Sequence, residues 1–281
     1  MLSVLERFKL VNSEAKALKE YLDGLPLEAL NKPSACDRWQ GGDVLAHLVW
    51  VGELYAEVMN RASQGITDLP EDAPQVRYNN PALSSEDYID QKAKEYRQRF
   101  GDQLIATFGT YYDNLYRIMM RMSLEEREKP CHYPSGVRPV WSMADMSVQE
   151  LAIHHWDIRS RLESDAHLSP ESLPLIMERL QQRGLRNVTM DTRQWGTVRV
   201  RFDVSGVVPG RYDFIFEGDS GRMEPSGNDA AQVSINCDTE AFVLLLYGRL
   251  SFPSAVAEGR ITTVGDRDLV AAFGSNFQPS I

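Results

Sequence analysis

The chain has 281 residues, of which 43% are hydrophobic and 25% charged, and its formal net charge is −10. This composition is typical of a globular protein, and the acidic balance argues against nucleic-acid binding, which depends on basic patches that neutralise phosphates. No apolar run approaches the roughly 20 residues that span a bilayer, and the N-terminus lacks the basic and apolar regions of a signal peptide. We therefore expect a cytoplasmic protein without membrane insertion.

The first two-thirds of the chain carry amphipathic helical patterns. Four helices are predicted, over Ser3–Leu22, Asp43–Val58, Ser85–Met122 and Ala144–Leu162. The Asp43 carboxylate suits a helix start, and the third helix is expected to kink at Gly101 or Gly109. Residues 65–84 contain three prolines and are expected to form a long loop. Four amphipathic helices with two long connections predict a four-helix bundle.

From residue 196 the hydrophobic period changes to two, which predicts a second domain. The predicted elements are strands at Val198–Val204, Tyr212–Phe216 and Ala231–Cys237, a helix at Thr239–Leu250, a strand at Ile261–Val264 and a helix from Asp266. This order predicts a compact α+β domain with a mostly antiparallel sheet. We expect a two-domain α+β chain, with the helical bundle in residues 1–168 and the second domain in residues 169–281.

Three polar side chains in the predicted bundle are candidate metal ligands. Glu150 and His154 are four residues apart and lie side by side on one helical face, the spacing by which a helix presents two ligands to one metal. His47 lies in an apolar run of the second helix, where an imidazole needs a partner. From spacing alone, Glu150 and His154 are more commonly a solvent-exposed pair than two ligands. His47 is likewise more commonly a core histidine with a hydrogen-bond partner than a ligand. The three cysteines form no CxxC pair, so neither a disulfide framework nor a thiolate zinc site is expected.

The residues around these side chains carry a family resemblance. The stretch Trp39-x7-His47 resembles the second-helix signature of the DinB-like metal-binding bundles. Glu150-Leu151-x-x-His154-x-x-Asp157 resembles the fourth-helix signature of one branch, the mycothiol-dependent maleylpyruvate isomerase family. Members of that branch carry a C-terminal domain similar to sterol carrier protein 2, which the segments 244–250 and 259–261 resemble. The resemblance covers most of the chain and is looser in the first helix and the 65–84 loop.

The resemblance implies that His47, Glu150 and His154 bind one divalent metal, with zinc as the first expectation. Two imidazoles and one carboxylate leave coordination positions open, and the same set suits Fe(II). Asp157 follows His154 by three residues and is expected either to orient that ligand or to pair with Arg161. His155 points about 100° away and is expected to be a packing residue or a neighbour of the ligands rather than a ligand.

Residues that bind the thiol or the substrate are not identified by the resemblance. Arg249 and Arg260 of the second domain are weak candidates, with surface roles as the alternative. His132, in the proline-containing segment 130–139, is a candidate for the mouth of the site, although a plain surface loop is the preferred expectation. Trp39 is expected to be a structural plug before the second helix.

The resemblance also implies the chemistry. In that family the open position takes the sulfur of a low-molecular-weight thiol, mycothiol or similar, and metal coordination keeps the thiolate available at neutral pH. The thiolate then adds to an activated double bond, allows rotation and leaves, or it displaces a leaving group. We therefore expect thiol-dependent cis–trans isomerisation or S-transfer on a small electrophilic substrate, by a monomer or homodimer.

Two other functions stay open from the sequence. The chain could bind a lipid or another hydrophobic ligand through its second domain, with the bundle as a scaffold. It could also be a metal-dependent hydrolase or an Fe(II) enzyme that needs no thiol. The identities of the thiol, the substrate and the native metal are not fixed by the sequence.

Overall fold

A computed structural model of the chain describes residues 2–68, 70, 85–133, 136–183, 190, 192–218, 220–275 and 277. The chain divides into two units, Met1–His167 and Leu168–Ser280. The predicted architecture, a helical bundle followed by an α+β domain, is confirmed. Across the described residues, no helix combines the length and the apolar character needed to cross a membrane.

The N-terminal unit is a bundle of long helices. Its helices are α1 (Val4–Asp23), α2 (Gly41–Ser63), α3 (Ser85–Phe100), α4 (Leu104–Arg121), the short α5 (Leu124–Glu128) and α6 (Met143–Arg159). Both α1 and α2 pack against α4 and α6, while α3 packs mainly on α2. The helices pack through their apolar stripes, so α2 and α6 face each other across the interior of the bundle.

The predicted third helix is divided at Gly101 rather than kinked at Gly109. Helix α3 ends at Phe100, a short 3-10 turn covers Gly101–Gln103, and α4 begins at Leu104. Gly101 has a φ of +47°, in the left-handed region that glycine enters without steric cost. Gly109 lies inside α4, where its backbone is helical.

Two segments were predicted to be loops, and the structure describes them to different extents. The segment 130–139 was expected to be a surface loop and instead forms an antiparallel hairpin of β1 (Pro130–Tyr133) and β2 (Gly136–Pro139). Pro130 and Pro139 face each other at the open end of the hairpin, where a missing N–H interrupts no inner ladder bond. Most of the predicted loop 65–84 lies outside the described residues.

The C-terminal unit is a five-stranded sheet with helices. Its elements are α7 (Leu173–Arg183), β3 (Val198–Ser205), β4 (Gly210–Glu217), β5 (Ser220–Pro225), β6 (Val233–Asp238), α8 (Thr239–Leu246), α9 (Phe252–Ala257), β7 (Thr262–Gly265) and α10 (Arg267–Gly274). The strand order is β5-β4-β3-β6-β7, and of the neighbouring pairs only β3 and β6 run parallel. The expected mostly antiparallel sheet is confirmed.

Helix α7 was not predicted, and two other regions of this unit differ from the prediction. Strand β5 lies at the edge of the sheet and is largely exposed, so its sequence carries little apolar alternation. The predicted helix Thr239–Leu250 ends at Leu246, and a separate helix α9 follows with a proline in its first turn. Proline fixes its own φ and lacks an N–H, which suits the start of a helix rather than its interior.

The two faces of the sheet differ in chemistry. On one face, Phe202 and Phe214 have ring centroids 4.7 Å apart, and Phe242 of α8 and Phe273 of α10 pack on them. All four rings are fully buried. The aromatic side chains therefore form the core between the sheet and these helices.

The opposite face carries a buried ion pair. Arg201 of β3 lies opposite Asp213 of β4 and donates two hydrogen bonds to its carboxylate, with N–O distances of 2.7 and 2.8 Å. Arg199 donates a third, at 2.7 Å. Burial raises the pKa of Asp213, but these guanidinium groups outweigh burial and hold the pKa at about 2. The carboxylate is fully buried in this network.

Candidate metal centre

The three candidate ligands meet between α2 and α6. His47 Nε2 lies 3.2 Å from Glu150 Oε2, and His154 Nε2 lies 3.3 Å from the same oxygen. The two imidazole rings are nearly perpendicular, with centroids 5.0 Å apart. One donor atom from each residue lies within 4.8 Å of the other two. The structure thus brings these three side chains together, and their role as ligands remains a prediction.

The donor set fits a divalent transition metal. Two imidazole nitrogens and one carboxylate oxygen are ligands that zinc and Fe(II) accept, and they leave coordination positions open. Both histidines are 7% exposed, so the donors are shielded from bulk water. Burial lowers the pKa of His47 and outweighs the hydrogen bond to Glu150, which favours the neutral imidazole that metals bind.

The second nitrogen of His154 is held by Asp157. His154 Nδ1 lies 2.8 Å from Asp157 Oδ2, and the Asp157 side chain is fully buried. Burial lowers the pKa of His154, but hydrogen bonds with Asp157, Cys36 and Glu150 outweigh burial and raise the pKa well above its ordinary value. Of the two roles considered for Asp157, the structure has the contact with His154. A carboxylate in this place fixes the tautomer and leaves Nε2 directed at Glu150.

Cys36 is the neighbour of the centre that the sequence did not reveal. Its Sγ lies 3.1 Å from Asp157 Oδ2 and 4.0 Å from His154 Nδ1. A lone cysteine 118 residues from His154 carries no spacing signal, and only the fold brings the two together. Cys36, His154 and Asp157 form a second group of close donor atoms beside the first.

Trp39 covers the two imidazoles. Its ring centroid lies 5.2 Å from that of His47 and 6.3 Å from that of His154. Its Nε1 donates to Asp90 Oδ1 of α3 at 2.9 Å, which fixes the indole in place. Trp39 is 3% exposed, so it closes one side of the centre, in keeping with the plug expected from the sequence.

The two remaining histidine candidates have contacts of their own. His155 packs against Tyr21 of α1, with ring centroids 5.5 Å apart, and burial lowers its pKa to about 4. His132 is half-buried on β1, opposite Val137. His155 thus packs on α1, while a role beside the ligands for His155 and a role at the mouth of the site for His132 stay predictions.

The two arginine candidates belong to the C-terminal unit. Arg249 donates to the backbone oxygen of Tyr247 at 3.1 Å, and Arg260 lies 3.5 Å from Glu240. Both contacts are within that unit. Binding of thiol or substrate by Arg249 or Arg260 stays a prediction.

Asp157→Asn is expected to weaken metal binding while leaving the three donors in place. The amide retains the shape of the side chain but loses the charge that fixes the Nδ1–H tautomer of His154, and loss of such a partner costs about 10- to 100-fold in affinity. Competition for zinc with a chromophoric chelator measures the change. Asp145→Asn is the matched control, because Asp145 is a buried carboxylate of α6 that pairs with Arg7 instead. Equal affinities for both variants would contradict the role of Asp157.

Comparisons with known proteins place this geometry in a family. A family model described as the mycothiol maleylpyruvate isomerase N-terminal domain matches residues 11–159, more than half of the chain and both helices of the centre. The chain belongs to this family. No curated protein matches the chain.

Solved structures extend the comparison beyond the N-terminal domain of this mycothiol maleylpyruvate isomerase family member. A crystal structure of mycothiol-dependent maleylpyruvate isomerase is similar at 15% identity and a TM-score of 0.64, and covers 93% of both chains. A histidine-to-alanine mutant of mycothiol-dependent maleylpyruvate isomerase is similar at 14% identity and a TM-score of 0.66, over the same shares. These likenesses show a shared fold. Sterol carrier protein-2 like-3 from Aedes aegypti matches 37% of this chain and 94% of its own, at 16% identity and a TM-score of 0.27.

Proposed function

We propose that this chain catalyses the thiol-dependent isomerisation of a small electrophilic substrate at a divalent metal held by His47, Glu150 and His154. The observation that carries the proposal is the convergence of both histidine Nε2 atoms on one Glu150 oxygen. Membership of the mycothiol maleylpyruvate isomerase family supports a low-molecular-weight thiol, mycothiol or similar, as the cosubstrate. Zinc is the metal we expect first, since it accepts this donor set with open positions.

The residues around the centre have separate tasks in this proposal. His47 and His154 supply nitrogen lone pairs, and Glu150 supplies a negative charge between them. Asp157 keeps the proton of His154 on Nδ1, so that Nε2 is available. Trp39 keeps water away from one side of both imidazoles. When bound there, a divalent metal supplies a Lewis acid that stabilises the thiolate form of the thiol at neutral pH.

Isomerisation and S-transfer differ in what happens to the thiol. A thiol that adds to an activated double bond permits rotation about it and then leaves unchanged, so isomerisation consumes none. In S-transfer the thiol displaces a leaving group, and each turnover consumes one thiol. Counting free thiol during turnover therefore separates the two reactions, and we expect the count to stay constant.

The first experiment is elemental analysis of the purified full chain beside His154→Ala. We expect about one equivalent of a divalent transition metal in the wild type and little in the variant. Isomerisation of maleylpyruvate is then measured with mycothiol, with other thiols and without thiol. Absence of metal from the wild type after incubation with zinc and dialysis would end the metal proposal. Full isomerisation without any thiol would contradict the thiol-dependent reaction, and cleavage of the substrate without thiol would favour a hydrolase instead.

The C-terminal unit is expected to carry no lipid. Its core between sheet and helices is occupied by fully buried rings, among them Phe202, Phe214, Phe242 and Phe273, in mutual contact. A hydrophobic ligand placed among these rings would have to displace side chains that are already buried against one another. Mass spectrometry of a solvent extract of the purified chain tests this. A stoichiometric lipid in the extract would favour the binding-protein alternative.

A further inference from the structure

The segment that precedes α2 is attached to α6 beside the candidate metal centre. The backbone N–H of Ala35 donates to the backbone oxygen of Asp157 at 2.9 Å. Next to it, the Cys36 thiol donates to Asp157 Oδ2 at 3.1 Å. Cys36 and the Asp157 side chain are both fully buried. Backbone and side chain of Asp157 are thus both held by the same two residues of this segment.

Asp157 Oδ2 accepts two hydrogen bonds from different elements. One comes from His154 Nδ1 on the same helix, at 2.8 Å, and the other comes from Cys36 at 3.1 Å. A carboxylate oxygen with one donor can shift about the Cβ–Cγ bond over the range of angles that this one hydrogen bond tolerates. A second donor on the same oxygen, from a separate segment, restricts that rotation.

We propose that Cys36 is a positioning residue of the metal centre: its thiol holds the Asp157 carboxylate so that His154 keeps its proton on Nδ1 and presents Nε2 to the metal. The inference rests on the proposed function and adds a residue to it. Cys36 acts through Asp157 and His154 and contacts neither the metal nor the substrate in this role.

The backbone of Cys36 is itself held in place. Its backbone N–H donates to Ser34 Oγ at 3.1 Å, and its backbone oxygen accepts from the Trp39 N–H at 2.8 Å. Ser34 Oγ also donates to the Trp39 oxygen at 2.8 Å, which closes the turn. These bonds restrict the Cys36 backbone, so its Cα has little freedom to follow a movement of Asp157.

A different role for the same three side chains makes a contrasting prediction. Cys36, His154 and Asp157 have donor atoms close enough to hold a second ion. The His154 Nδ1–Asp157 Oδ2 distance of 2.8 Å is, however, an ordinary hydrogen bond, and a second ion would need the His154 proton to be lost. The positioning role therefore predicts one metal per chain, and the second-ion role predicts two.

The test compares zinc affinity and stoichiometry in the full chain and four variants. Cys36→Ala and Cys36→Val remove the donor, and Val keeps the apolar volume in case Ala does not fold. Cys36→Ser restores a donor. Cys131→Ala is the matched control, since Cys131 is another buried cysteine of the same unit that is not among the close donor groups at the centre. We expect Cys36→Ala and Cys36→Val to bind zinc about 10- to 100-fold more weakly, and Cys36→Ser and Cys131→Ala to stay near the wild type.

A second readout on the metal-free chain reports positioning directly. Long-range ¹H–¹⁵N correlation spectra, recorded at a pH high enough to leave His154 with a single ring proton, give its tautomer, and we expect the Nδ1–H form in the wild type and in Cys36→Ser. Loss of that single form in Cys36→Val would support the role. Unchanged affinity and tautomer in Cys36→Val would overturn it while leaving the proposed function intact. Two zinc ions in the wild type and one in Cys36→Val would also overturn it. A wild type without zinc would remove the proposed function itself.

Discussion

Glu150→Gln is expected to abolish metal retention and thiol-dependent turnover together while the bundle stays folded. Glu150 supplies the negative charge between two imidazole nitrogens, at 3.2 and 3.3 Å. Glutamine has nearly the same shape but offers a neutral amide, a poor ligand for zinc or Fe(II). Removal of a ligand's hydrogen-bond partner lowers metal affinity by about 10- to 100-fold. Loss of the ligand Glu150 itself should lower metal affinity by more than that. Elemental analysis, the isomerisation assay and circular dichroism measure the three effects.

The matched control for this prediction is Glu53→Gln. Glu53 is a partly buried carboxylate of α2 that accepts hydrogen bonds from Tyr96 and Tyr111, away from the three donors. We expect it to retain metal and turnover even if it loses stability. His47→Ala and His154→Ala should behave like Glu150→Gln. Normal turnover in all three variants of the centre would refute the assignment of the ligands.

Asp213→Asn is expected to destabilise the C-terminal unit by about 3–5 kcal/mol, the cost of removing one partner of a buried ion pair. The substitution leaves the Arg201 guanidinium, itself 8% exposed, without the charge that it faces across β3 and β4. Hydrogen exchange of the β3 and β4 amides reports the opening free energy of this unit.

The neighbouring cross-strand pair supplies the control. Asp203 and Arg211 lie opposite each other on the same two strands, one pair further along that face, but their side chains are 35% and 58% exposed. An exposed ion pair contributes at most about 1 kcal/mol, so Asp203→Asn should change the opening free energy little. If both substitutions had equal effects, burial would not explain the contribution of Asp213.

The contribution of Asp213 should also depend on pH in a defined direction. Its pKa is held at about 2 in the folded chain, against an ordinary value of 3.8. The unfolded chain therefore takes up a proton first as the pH falls, and the stabilisation is present above pH 3.8 and lost as the pH falls from there through about 2. Urea denaturation of the wild type and Asp213→Asn between about pH 5 and pH 3 should show the difference shrinking. A difference that grows on acidification would contradict this sign.

Amphipathic elements of the fold were predictable because their burial is periodic. The predicted helices Ser3–Leu22 and Ala144–Leu162 correspond to α1 and α6, with ends shifted by one to three residues. Strand β3 alternates apolar and polar side chains and was found for the same reason. Strand β4 was found from Tyr212, Phe214 and Phe216, although Asp213 and Ile215 on its other face are buried as well. Strand β5 is polar and exposed at a sheet edge, and the hairpin at 130–139 is short and bounded by prolines, so neither presents a periodic signal.

The candidate metal centre was predictable in part. Glu150 and His154 are linked by helical spacing, which is a local property of the sequence. The pairing of His47 with them depends on how α2 packs against α6, and only the family resemblance suggested it before the fold was known. Cys36 could not be found from spacing or resemblance, because its contact with Asp157 joins residues 121 apart through a turn without regular structure.

The separation of the proposed ligands along the chain has a consequence for how fast the protein itself is degraded. His47 and Glu150 are 103 residues apart, so an ion bound by both would close a ring of chain that contains α3, α4 and the β1–β2 hairpin. It would bind the native state and not the unfolded one, and stabilise the former by an amount that grows with the free metal concentration. Proteases cleave chains that are transiently unfolded. The metal-bound protein should therefore be digested more slowly than the metal-free protein. The supply of metal would then govern how long the protein persists as well as whether it is active.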